Sequence, residues 1–258
     1  MVAVEGPAAV LAELGRWWPP AGLVRVDEPD AGEAQPSVAP DLVVELSGPP
    51  TGPAVGVDGI ARPGGWDRLE SDLGLFAAEH LAHRVAVHAA VVAWQGAAVV
   101  LPGPSHAGKS TLALALADAG AAVLSDEYTL IDPATGLVQG WPRPVRRRMP
   151  DGTITRPLVP APLAAPIPVA VVAAVHHEAG AALDLRPARA ADAALDLLAN
   201  TVPAQRRPGP SLLAASAVAR SASAVRGVRG EASEAAAALL ALVPARTGAR
   251  GRSPGGRA

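Results

Sequence analysis

The 258-residue chain contains no cysteine, and its 22 lysines and arginines include a single lysine, Lys109. The first absence removes disulfides, thiolate metal ligands and cysteine nucleophiles, and it fits a reducing compartment. Net charge is small as well: the formal value of −2 argues against a general nucleic-acid or membrane surface. Long apolar runs are missing. The longest, "APIPVAVVAAV", is too short and too interrupted by proline to span a bilayer. The opening "MVAVEGPAAVLAELG" carries an early acid and no basic region, so it does not read as a secretory signal. Half the residues are apolar, enough for a substantial core in one domain or two small ones. The expectation is a soluble, cytoplasmic protein without a nucleic-acid or membrane partner, with room for a homo-oligomer.

The lone lysine is informative. Heavy use of Ala, Gly, Pro and Arg suggests a GC-rich coding bias that replaces lysine wherever arginine serves. Arginine does not serve where a compact ammonium on a flexible stem must reach between two phosphates. Lys109 lies in "GPSHAGKST", a glycine, four residues, then Gly-Lys-Ser. With this composition, a chance match is on the order of 10⁻³. The motif is taken as real.

Local patterns supply its context. Residues 1–65 are rich in Pro, Gly and Ala, with a strand at "DLVVEL" and an apolar anchor at "RWWPP". "WDRLESDLGLFAAEHLAHR" has helical spacing. "VAVHAAVVAW", Gln95-Gly96 and "AAVVLP" predict a hairpin whose second strand enters the glycine loop. "KSTLALALADAG" predicts a helix stopped at Gly120, and "AAVLSDE" a short strand ending in acids. "YTLID" and "LVQGW" around "PATG" predict a second hairpin, and "IPVAVVAAVHH" with "ALDLRP" a third. Helices are expected at "ARAADAALDLLAN", "PSLLAASAVARSA" and "EASEAAAALLALV", before a disordered basic tail over 244–258.

Gly103 and Gly108 frame the loop and permit positive φ, while Pro104, Ser105, His106 and Ala107 complete it. Backbone N–H groups and the following helix N-terminus would cradle phosphate. Lys109 would sit between the β- and γ-phosphates, and the Ser110 hydroxyl would ligate Mg²⁺. Thr111 would contact the α-phosphate or its own helix backbone. Asp126 would hold the metal shell or accept a proton from the attacking hydroxyl. Alternation along a strand lets only one of Asp126 and Glu127 look into the site.

The stretch resembles the C-terminal domain of HPr kinase/phosphorylase and the HPr-kinase-like serine kinases, through "VHAAVV", "GPSHAGKST" and "AAVLSDE" in that order. The resemblance is good over residues 85 to about 150, weaker to about 243, and absent over the first 65. It implies an α/β P-loop domain of HPr-kinase/PEP-carboxykinase-like type over 66–243, with a mixed sheet and a hairpin entering the loop. It also implies that His88 lies beside the γ-phosphate and that Asp126 is the general base. The sequence departs from the family in carrying His106 where relatives have glycine. Asp126-Glu127 replaces paired aspartates, and "GWPRPVRRR" stands where the bifunctional enzyme has a glycine-rich signature. The last departure weakens any assignment of phosphorylase activity or of HPr as substrate.

The implied activity is ATP- and Mg²⁺-dependent phosphorylation of a hydroxyl, a serine on a peptide or small protein such as a modified-peptide precursor. Catalysis would fall to Lys109, Asp126 and His88. A small-molecule kinase and a non-catalytic ATP-binding regulator fit the same residues. Arg146, Arg147, Arg148, Arg206, Arg207 and Arg220 are candidates for a phosphate-neutralising arginine, and His176-His177 reads as a strand end.

Overall fold

The computed structural model describes residues 2–11, 42–47, 54–57, 60–62, 65–141, 145 and 165–245. "RWWPP", Arg146–Arg148 and residues 246–258 of the expected tail lie outside these. The chain divides into two compact units, Met1–His80 and Leu81–Ala258.

In the first unit, β1 (Val2–Glu5), β2 (Leu42–Ser47), β3 (Ala54–Val57) and β4 (Ile60–Arg62) form a sheet in that order. The β1/β2 pair is parallel and the others are antiparallel. Only β2 was expected from sequence. Helix α1 (Gly65–His80) buries Leu69 and Leu73 with Val44, Leu46 and Val55 of this sheet. That burial is why the unit boundary falls after His80 and not at the expected 65/66.

The second unit is α/β with a mixed, open sheet. Its strands are β5 (Val85–Trp94), β6 (Ala97–Pro102), β7 (Ala122–Ser125), β8 (Tyr128–Ile131), β9 (Val138–Gly140), β10 (Val169–His177), β11 (Asp184–Ala188) and β12 (Ser223–Arg229). The order is β11-β12-β10-β6-β5-β8-β9, with β7 also paired to β5. Strands β6, β10 and β12 are mutually parallel, and the remaining pairs are antiparallel.

Strand β5 organises the sheet. Gln95 and Gly96, at φ 49° and 78°, make the two-residue turn to β6. Along its other edge, the first half of β5 pairs with β8 and the second half with β7. Its residues Val85–Val87 and Ala89–Val92 are buried, each valine contributing about 1.5–3 kcal/mol of transfer free energy. The second expected hairpin also forms: β8 and β9 pair around a turn in which Asp132 Oδ1 accepts from the amides of Ala134 and Thr135.

The third does not form. Strands β10 and β11 are not neighbours, because β12 lies between them, parallel to β10 and antiparallel to β11. Sequence reading assigned no strand to 223–229.

Helices cover both faces of the sheet. Helix α2 (Lys109–Asp118) and α5 (Ala232–Ala241) pack on the side of Ala90, Val92, Val99, Leu101 and Val171. Helices α3 (Ala190–Ala199) and α4 (Pro208–Ser221) pack on the side of Val85, Val87, Val91, Val100 and Val172. No described helix is long and apolar enough to cross a membrane.

Candidate functional site

The parallel strands β6, β10 and β12 end together, and the glycine loop leaves β6 at that end. Crevices at the C-terminal ends of parallel strands are where open α/β sheets hold ligands. Gly103 is buried, whereas Pro104, Ser105 and His106 are exposed. His106 adopts φ 67° and Gly108 φ 85°, so two left-handed residues bend the chain into the start of α2. Histidine enters this left-handed region more readily than most residues, at a modest backbone cost.

Lys109 is the first residue of α2 and is buried. Its ammonium donates to the carbonyls of Gly103 and Pro104, each at 2.8 Å, so the side chain folds back across its own loop. Burial lowers its pKa to about 8, partly offset by the nearby charge of Asp126. Ser110 and Thr111, both partly buried, follow on the first turn.

Asp126 and Glu127 occupy the break between β7 and β8. The Ser125 hydroxyl fixes this break by accepting from the amides of Glu127 and Tyr128, both at 3.2 Å. The Glu127 carbonyl accepts from the Ala89 amide at 3.0 Å, continuing the β5 pairing through the turn. It is Asp126 whose field reaches Lys109.

His88 belongs to the part of β5 that extends past the end of β6. There the Thr201 segment takes over the ladder: Val87 and Thr201 form a bridge, and the His88 amide donates to Asn200 O at 2.7 Å. Its alternation with Ala90 and Val92 puts His88 on the α2 face. Burial first, and the Lys109 charge second, lower its pKa to about 4, so the imidazole is neutral near pH 7. Of the three groups named from sequence, Lys109 is the one that interacts electrostatically with both others, lowering the His88 pKa and being raised by Asp126.

The arginine candidates separate. Arg207 donates to main-chain carbonyls of Leu81, Ala82 and Arg84 and holds the turn before β5. Arg207→Ala should therefore lower stability by about 2–3 kcal/mol, read by denaturant unfolding, while folded protein keeps its activity. A transition-state role would reverse that pattern. Arg206 is exposed in the segment before α4, and Arg220 is exposed in its last turn. His176 and His177 end β10, as expected.

Sequence reading missed Arg229, the last residue of β12. Only 2% exposed, it is the largest fully buried side chain among the described residues. Its Nη2 donates to Gly108 O at 2.9 Å and its Nη1 to Gly230 O at 3.0 Å. The one signal available was the pair of β-branched residues, Val225 and Val228, in "SAVRGVR", a weak strand signal between two helical patterns.

No protein-family model matches the chain, and no curated protein matches it.

Proposed function

We propose that the second unit is a P-loop domain of HPr-kinase-like type that transfers the γ-phosphoryl group of ATP to a serine hydroxyl on a peptide or small protein. One observation carries this reading: a buried ammonium in a glycine loop at a helix N-terminus, with a carboxylate acting on it and a half-buried imidazole that it helps to keep neutral. A lysine that only packed the core would have no use for the left-handed turns or for a facing acid.

In this reading Lys109 exchanges its bonds to the Gly103 and Pro104 carbonyls for phosphate oxygens, and the loop amides take the remaining charge. Asp126 accepts the acceptor hydroxyl's proton as oxygen attacks phosphorus and the bond to ADP breaks. His88, neutral, orients that hydroxyl or Asp126 by hydrogen bonding and adds no charge. Among the described residues, no group of three or more His, Cys, Asp or Glu side chains is placed to hold a metal. Ser110 and Asp126 are the residues that would hold an Mg²⁺ arriving with the triphosphate, since both offer the oxygen ligands that ion takes. Such an ion would neutralise part of the phosphate charge.

The test is incubation with ATP, Mg²⁺ and peptides encoded beside the gene, followed by mass measurement. Gain of one phosphate on serine supports the assignment. Turnover with metabolites alone replaces the acceptor class, and ATP binding without any turnover replaces the enzyme with a regulator.

The lowered pKa of Lys109 sets a pH dependence. Phosphate charge raises that pKa in the complex, so binding takes up a proton between about 8 and the higher bound-state value. ATP affinity should fall as pH rises above about 8, by up to about tenfold per unit. Calorimetry at pH 8.5 in buffers of different ionisation heat should report that uptake. Equal affinity at pH 7 and 9.5 would remove the ammonium from the binding site.

A further inference from the structure

A guanidinium buried to 2% exposure is costly, and here its hydrogen bonds go to main-chain carbonyls. Its Nε is also buried and has no hydrogen-bond partner. Burial works against the charge of Arg229, and among the described residues Glu231, at the start of α5, partly offsets this electrostatically. An arrangement this unfavourable for stability calls for a purpose elsewhere.

Its position supplies one. Gly108 O receives both Arg229 Nη2 and the first helical bond of α2, from the Leu112 amide at 3.0 Å. In a trans peptide the carbonyl and the following N–H point in opposite directions. Pinning Gly108 O towards Arg229 and the helix therefore commits the Lys109 amide to the loop's concavity. The guanidinium also leaves a fixed positive charge directly behind that peptide.

We propose that Arg229 is a positioning residue of the phosphate loop: from beneath, it locks the Gly108–Lys109 peptide with its amide towards bound phosphate and adds attraction for a polyphosphate it never touches. The inference rests on the proposed phosphate-binding role of the loop. It separates Arg229 from exposed arginines that would reach the phosphoryl group itself. The clamp ties the end of β12 to the loop, so a strand far along the chain contributes to the site.

The experiment compares full-length wild type, Arg229→Met and Arg229→Lys. It measures inorganic tripolyphosphate and ATP by calorimetry, well below each protein's melting temperature. Arg229→Met removes both charge-assisted bonds and should weaken both ligands by about tenfold or more. Arg229→Lys keeps the charge but spans one carbonyl, and should weaken them by only about threefold. A purely structural arginine would lower the melting temperature and leave both dissociation constants unchanged, which overturns the inference. Should Arg229→Met fail to fold, unchanged binding by Arg229→Lys overturns it equally. Wild type that binds neither ligand removes the phosphate reading and this inference with it. Wild-type binding with indifferent variants removes the inference alone.

Discussion

Asp126→Asn is expected to slow phosphoryl transfer by about 10²–10⁴-fold while binding of metal-free ATP at neutral pH stays the same or tightens. The amide keeps the shape of the carboxylate but cannot take the hydroxyl's proton, and it no longer repels the γ-phosphate. A second effect follows from the same substitution. Asp126 holds the Lys109 pKa above the value that burial alone would set. Without it, the ammonium is lost at lower pH, and the fall of ATP affinity should begin below about pH 8. Single-turnover assays give the first quantity and a calorimetric pH series the second. Turnover that survives while the pH profile moves would leave Asp126 as an electrostatic partner of Lys109 and no more. If ATP binding and biological function both survive, phosphoryl transfer is not what the protein is for.

The sequence made the core of this site legible because its determinants are local. A two-residue turn at Gln95-Gly96, a glycine loop and a helix stopped at Gly120 are each set within a few residues. Gly120 takes φ 99°, as that stop requires. The convergence of Lys109 with Asp126 depends on β7 and β6 flanking β5, and the chain order of the hairpin and helix favours that arrangement.

What escaped was long-range. Apolar runs at 169–177 and 184–188 separated by a short turn look like a hairpin. Nothing local says that a later strand will insert between them. That strand carries Arg226 and Arg229. The former is exposed and bonded to Asp196, at 2.7 Å from Nη2, and the latter is buried. In a single sequence the two look alike. Only the pairing of β12 with β10, which sets Arg229 opposite His177, separates a solvated arginine from one beneath the loop. The N-terminal sheet escaped for a related reason: β3 and β4 have four and three residues, too short to show a period.

The same clamp makes Gly108 a sensitive backbone position. At φ 85° an alanine pays a left-handed penalty of about 1–2 kcal/mol. Its Cβ would also lie 2.6 Å from Arg229 Nη2 and 3.2 Å from His177 Cβ. The guanidinium would have to withdraw from Gly108 O, leaving a buried charge less satisfied. Gly108→Ala should therefore lower stability by about 3 kcal/mol or more and weaken ATP binding at least about 100-fold. Gly180 provides the control. It has φ 75°, and a Cβ there would meet nothing within 4 Å. Gly180→Ala should show the conformational penalty alone, about 1–2 kcal/mol in denaturant unfolding, with ATP affinity unchanged. Equal losses in the two variants would mean that backbone conformation accounts for everything at Gly108. A larger loss of stability at Gly108 reports the crowding against Arg229 and His177, because the two glycines have similar φ and differ in what stands against them.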